Sequence, residues 1–236
     1  MPLPRPALID VRSDAVVLTR EAAPPSSASL RTQGLHEALT GLIAPVRDAL
    51  RADVLVNAMH TRLLVLPSAA ALTSEARWLA YAASRFEDVF GDGADGWSLR
   101  LVPERPQRPR LLAALPMVLM RTLDTLLGQR LRSVRIDTLV RVDELRLREP
   151  DYTGALVDIG AGHAVIALLL HGTLHRVRLR HMAPDLDELR AALRVEWAAL
   201  GRFDELPALA IAPPEVLDAS DATAVRMLAA RIVRLA

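Results

Sequence analysis

Apolar and polar positions alternate along this chain with two periods, and the changes between them mark its elements. The densest apolar stretch is residues 154–180, GALVDIGAGHAVIALLLHGTLHRVRLR. It predicts a buried strand running into Asp158, a turn through Gly160 and Gly162, and a second apolar run. A tight turn at His171 and Gly172 then leads to a third strand, where Val177 and Leu179 alternate with Arg176, Arg178 and Arg180. Upstream, residues 7–11 and 15–19 are short β-rich runs around Arg12, Ser13 and Asp14, a hairpin pattern. Residues 21–29, EAAPPSSAS, read as a flexible loop. Residues 35–50 place Leu39, Leu42, Ile43, Val46 and Leu50 at helical spacing.

Residues 53–67 predict a second hairpin turning near 57–61. Thr73, Ser74 and Glu75 form a helix start, and that helix runs to about Phe90, where glycines close it. A strand over 97–102, a proline-stiffened loop over 103–109 and a strand over 111–115 follow. The pattern then gives a helix over 117–128, a strand over 132–136, a helix over 138–147 and a loop over 148–153. After the 154–180 unit come a helix over 185–200, a strand over 209–212 and an amphipathic helix over 223–235. The order predicts a mixed α/β protein with several hairpins. No repeat with a 20–50-residue period points to a solenoid.

Composition narrows the function classes. Hydrophobic residues make up 51% of the 236, enough for a sizeable core and far from a disordered composition. Aromatic residues are only 3%, which counts against stacking on single-stranded nucleic acid. A net charge of +1 with interleaved signs gives no broad pull toward DNA or membrane. Cysteine is absent, excluding disulfides, thiolate catalysis and cysteine-based zinc sites. Lysine is absent too, excluding a Schiff-base or P-loop lysine. No secretory leader is visible at the N-terminus, and no apolar run approaches the ~20 residues of a membrane helix. The expectation is a cytoplasmic protein with no direct membrane insertion and no nucleic-acid partner.

The turn from Asp158 through Gly160 to Gly162 has two chemical readings. A methyltransferase places an acidic residue and two glycines between its first strand and first helix, so that backbone approaches the cofactor. The other reading is strand–turn–strand, with backbone N–H groups of the turn facing an anion. The run after Gly162 is closed early by Gly172 and β-like alternation resumes. No acidic residue follows where a ribose partner would sit, and too little chain remains to complete a doubly wound sheet. Those facts favour the hairpin.

In this respect the chain resembles the actin-like ATPase superfamily, in the branch of the type IV pilus assembly protein PilM and the type II secretion protein GspL. ALIDVRSDAVVLTR resembles the family's first phosphate hairpin, with Asp10 at its acidic position. DVLVNAMHTRLLVLP, LTSEARWLAYAASRFEDVF and WSLRLV are similar to its small inserted subdomain. LPMVLMRTLDTLLGQRLRSVRIDTL resembles the passage into the second half, and LVDIGAGHAVIALLLHGTLHRVRLR resembles the second phosphate hairpin. The resemblance implies an actin-like (ribonuclease H-like) α/β fold of mixed sheets with flanking helices. A first half over 1–150 would carry the inserted subdomain at about 53–102, and 151–236 would form a truncated second half. Asp10, Asp158, Gly160 and Gly162 are the phosphate-site positions it implies.

The chain departs from an active ATPase at several points. Arg12 stands where a glycine would let backbone approach phosphate, and His163 and Ala164 stand where hydroxyl residues are usual. The segment past Arg180 is short for an adenosine-binding subdomain. The resemblance therefore implies a non-catalytic adaptor with no cofactor, in a pilus or secretion assembly platform. Its partners would be the cytoplasmic tail of an inner-membrane assembly protein and a motor ATPase. The alternatives are an active ATPase binding ATP–Mg²⁺ and a SAM-dependent methyltransferase.

Other candidates read as structural. Asp10 and Asp158 can cap their own turns. His163, His171, His175 and His181 crowd one segment but read as turn or surface histidines, and His60 as exposed. The arginines at 176, 178 and 180 read as a solvated face, the alternative being a site for an acidic partner or an anion. Trp78, Tyr81, Phe86 and Phe90 are placed to pack in a core.

Overall fold

The computed structural model describes residues 6–21, 23–69, 71–91, 93–102, 104, 108–160, 162–182, 185–201 and 208–211. The chain divides into two compact units, one of Met1–Arg62, Ala71–Val102 and Leu112–Val140, the other of Leu63–Ala70, Pro103–Leu111 and Arg141–Ala236.

The first unit is built on β1 (Ala7–Val11), β2 (Ala15–Arg20), β3 (Ala23–Ser29), β4 (Ala52–Val56) and β8 (Leu131–Ile136), in the order β3-β2-β1-β4-β8. β1 and β2 pair antiparallel as the hairpin pattern predicts, with Asp10 opposite Val17. β4 lies parallel to β1, and β8 parallel to β4. Alternation sends Ile9 and Val11 to the core while Leu8 points away. On that inner face Leu39 and Ile43 of α1 (Leu35–Ile43) and Leu119, Leu123 and Leu127 of α3 (Met117–Leu127) close the core.

Three expectations are corrected over residues 21–67. Residues 23–29 are not a loop but β3, paired along β2 from Ala15↔Ser29 to Arg20↔Ala23. Pro24 and Pro25 are tolerated there because β3 is an outer strand and the register shifts between Leu18 and Arg20. The helix predicted over 35–50 stays α only to Ile43 and continues as a 3₁₀ helix over Ala44–Ala49. Pro45 has no N–H to give to the carbonyl four residues back, so the α ladder stops. The hairpin predicted over 53–67 does not form. β4 already has β1 on one side and β8 on the other, leaving no edge for β5 (Arg62–Leu66). β5 lies instead in a three-stranded sheet of order β5-β7-β6, with β6 (Trp97–Leu101) and β7 (Arg110–Pro116) antiparallel.

α2 (Glu75–Phe90) begins and ends as predicted: the Ser74 side chain accepts from Arg77 N–H, and Gly91 caps it in the left-handed region at φ 71°. Trp78 and Phe86 are buried, and Phe86 packs on Phe90 and Trp97 at centroid distances of 4.9 and 5.6 Å.

The second unit centres on β9 (Gly154–Gly160), β10 (His163–Leu170), β11 (Thr173–His181) and β12 (Ala208–Ile211), in the order β11-β10-β9-β12. β9, β10 and β11 form the predicted antiparallel triple, and β12 runs parallel to β9. Ala155, Val157 and Ile159 pack with Leu189, Leu193 and Trp197 of α5 (Leu186–Ala198), which Asp185 caps by accepting from two N–H groups. Leu156 and Asp158 face the other way. The methyltransferase alternative needs a helix after Gly162; β10 is a strand, and that reading falls. The helix expected over 223–235 lies outside the described residues.

The two units share one design. In each, strands one to three are antiparallel, a helix follows, and the fourth strand returns parallel to the first: β1, β2, β3, α1, β4 and β9, β10, β11, α5, β12. The opening hairpins also align residue by residue, ALIDVRSDAVV over 7–17 with ALVDIGAGHAV over 155–165. Asp10 falls on Asp158, Arg12 on Gly160, and Ala15 on His163.

Candidate functional site

Each unit presents its aspartate at the end of the first strand, where open α/β sheets place ligands. In the first, Asp10 is partly shielded and its Oδ2 accepts from Arg12 Nε at 2.8 Å. Arg12 N–H closes the turn onto the Ala15 carbonyl at 2.8 Å, while its own carbonyl accepts from His60 Nε2 at 2.7 Å. His60 is thereby half-buried against the turn rather than simply exposed. Arginine in this turn thus holds the neighbouring acid.

The turn rests on a clamp that the sequence reading missed. Asn57 N–H donates to the Val11 carbonyl at 2.7 Å, and Asn57 Nδ2 donates to Asp137 Oδ2 at 2.8 Å. Asp137 Oδ1 accepts from the N–H of Ala58 at 3.1 Å and of Thr138 at 2.6 Å. This buried carboxylate joins the ends of β1, β4 and β8 and starts α4 (Asp137–Arg148). The available signal was an acid opening a helix immediately after a predicted strand.

In the second unit Asp158 is buried, and its Oδ1 accepts from the Arg141 guanidinium of α4 at 2.5 Å. Gly162 turns at φ 75°, a conformation side chains resist. Gly160 is needed for a different reason: a Cβ there would lie 2.1 Å from Cε1 of His163. The buried imidazole of His163 thus occupies the space beside the strand that the glycine leaves open. The hairpins therefore bring each predicted aspartate to a turn, and in each an arginine of the same unit neutralises it.

The arginine strip is only in part a solvated face: Arg180 is exposed, while Arg176 and Arg178 are half-buried. β11 places Arg176, Arg178 and Arg180 opposite Leu168, Ile166 and Ala164, on the side covered by α5. Arg176 and Arg180 both bind Glu196, whose side chain is fully buried. Burial pushes the Glu196 carboxyl up, but hydrogen bonds and charge from the two arginines outweigh it and hold it below the ordinary carboxylate range. Arg178 lies between them; burial, then the like charge of Arg176, lowers its pKa.

Of the four clustered histidines, His163 is buried and His181 is exposed opposite it across the ladder. His171 turns at φ 48°, and His175 is half-buried, its pKa lowered by burial and by His171. Among the described residues no group of three or more potential ligands is placed to hold a metal ion.

Neither a family model nor a curated protein matches the sequence. Solved structures do. A protein of unknown function with an actin-like ATPase fold from Bacteroides thetaiotaomicron superposes with a TM-score of 0.64 at 11% identity, over 96% of this chain and 87% of that one. The cytoplasmic domain of EpsL, an inner-membrane component of the type II secretion system of Vibrio cholerae, gives 0.48 at 12% identity over 88% and 82% of the chains. The PilM–PilN type IV pilus biogenesis complex gives 0.49 at 16% identity over 84% and 67%. The doubled 3-2-1-4 strand order and the superposition on the Bacteroides protein give this chain the actin-like ATPase fold.

Proposed function

We propose that this chain is a non-catalytic actin-like adaptor in a type IV pilus or type II secretion assembly platform. It works on the cytoplasmic side and binds the cytoplasmic tail of an inner-membrane assembly protein. The observation that carries the non-catalytic part is the pairing of both hairpin aspartates with arginine, Asp10 with Arg12 and Asp158 with Arg141. Carboxylates that organise Mg²⁺ and water for phosphoryl transfer have to present oxygens to the metal. Here the guanidiniums take that place, and the His163 ring fills the space beside Gly160. The pilus or secretion setting rests on the sequence resemblance of the two hairpins and the order of elements between them. No helix among the described residues is long and apolar enough to cross a membrane, so in this reading attachment goes through the partner.

A thermal-unfolding series with ATP–Mg²⁺, ADP–Mg²⁺ and SAM tests the first part. A ligand bound to the native state at a hundred times its Kd adds about 2.7 kcal/mol and raises the midpoint. The expected result is no shift with any of the three; a rise with ATP–Mg²⁺ overturns the non-catalytic reading. Titration of the labelled tail peptide of the neighbouring inner-membrane assembly protein tests the second part, and saturable binding is expected.

A further inference from the structure

β11 is an outer strand of its sheet, and among the described residues no strand pairs with its far edge. Its counterpart in the first unit, β3, holds the same outer position but carries Pro24 and Pro25, which remove two N–H donors. β11 contains no proline, so every residue from Thr173 to His181 keeps its N–H and carbonyl. Such an edge is a template for a further strand.

Its side chains restrict which strand. Arg176, Arg178 and Arg180 repeat on one face at about 7 Å intervals. Glu196 is shared by Arg176 and Arg180, while the Arg178 side chain feels its charge but makes no hydrogen bond or ion pair among the described residues. One carboxylate thus faces three guanidiniums, and Arg180 remains well exposed beside its contact with Glu196. An apolar or basic strand laid here would meet uncompensated positive charge.

We propose that the outer edge of β11 accepts an extended, acidic partner segment added as a strand, with carboxylates at alternate positions meeting Arg178 and Arg180. A strand repeats its side chains on one face at the spacing of the arginines, and opposite charges across a strand pair favour that register. Main-chain hydrogen bonds supply affinity and the charges supply selection. The biological occupant rests on the adaptor role proposed above; the chemistry of the edge does not. Edge arginines can also serve only to keep other strands away, and that outcome is open to the same experiment.

The probe is a short labelled peptide alternating glutamate and valine, titrated into the full chain at low salt, beside a control with glutamine for glutamate. The glutamate peptide is expected to bind at least about tenfold more tightly, the equivalent of roughly 1.4 kcal/mol. Arg178→Gln is expected to lose about that factor, and Arg178→Lys to recover part of it, with an unchanged melting midpoint in both variants. Hydrogen exchange of the complex is expected to slow at β11 amides. No binding, equal affinity for both peptides, indifference to Arg178→Gln, or protection confined to other elements overturns the proposal. Those results would leave the adaptor role standing, whereas failure of the tail peptide to bind would overturn the adaptor role, and stabilisation by ATP–Mg²⁺ the non-catalytic reading, each leaving the edge site standing.

Discussion

The imidazole of His163 lies beside Gly160, so close that a Cβ at residue 160 would come within 2.1 Å of its Cε1. The ring is buried and paired across the ladder with the very residue it restricts. Gly160→Ala must displace either the ring or the strand, and overpacking of this kind costs about 1–3 kcal/mol. Urea unfolding of G160A, H163A and the double variant is the measurement. The double variant is expected to be more stable than the sum of the single losses, because removing the ring makes room for the methyl. Strict additivity would mean that the ring does not hold that space.

Gly162 and Gly172 separate conformational strain from collision. Both have positive φ, 75° and 67°. A Cβ at 162 meets nothing within 4 Å, whereas one at 172 would lie 1.8 Å from the Pro150 carbonyl oxygen. That carbonyl belongs to backbone, and Gly172 is tied on both sides, its N–H to Tyr152 O at 2.9 Å and its carbonyl to Arg146 Nε at 2.8 Å. Gly162→Ala is expected to cost about 1 kcal/mol from backbone strain alone. Gly172→Ala is expected to cost at least about 3 kcal/mol, or to prevent folding. Equal losses in chemical denaturation would contradict the assignment.

The parts of this fold legible in the sequence are those where local chemistry and tertiary demand agree. Residues 154–180 alternate, turn on glycine and become β9, β10 and β11. Ser74 and Gly91 bound α2 as their chemistry requires. β3 was hidden because its prolines and serines favour a loop locally, while pairing with β2 decides the outcome. The 53–67 hairpin misleads because sequence proximity cannot show that β1 and β8 already occupy both edges of β4. At the site, Asp10 and Asp158 were readable as turn acids, but the partner of Asp158 comes from α4. The acidic partner of the arginine strip comes from α5, and Asp137 joins three strand ends that are far apart in the chain. Such long-range pairings leave no local mark.

The two aspartate pairs differ in burial, and stability should follow. Arg12 is about half exposed and Asp10 a quarter, with side-chain exposures of 53% and 24%. Arg141 and Asp158 stand at 32% and 10%. Arg12→Ala is expected to cost no more than about 1 kcal/mol, as solvent screens the carboxylate left behind. Arg141→Ala strands a largely buried carboxylate and is expected to cost about 3 kcal/mol. Raising salt should narrow the smaller difference and barely alter the larger one. Two equal losses in urea unfolding would refute the ranking.

Glu196 gives the chain a predictable acid sensitivity. Its side chain is fully buried between Arg176 and Arg180. Burial raises its pKa, and the arginine hydrogen bonds and charges more than reverse this, leaving the folded value below the ordinary 4.5. Between the folded and ordinary values the unfolded chain binds the extra proton. Stability from this group is therefore complete above the ordinary value and is lost as pH falls through the folded one. Glu196→Gln removes the charge while keeping the shape. At neutral pH it leaves two partly buried guanidiniums without their carboxylate, at an expected cost of about 3–5 kcal/mol. The gap between wild type and E196Q in urea midpoint should then shrink steadily as pH is lowered below the ordinary value. A gap of constant size across that window would show that Glu196 contributes shape rather than charge.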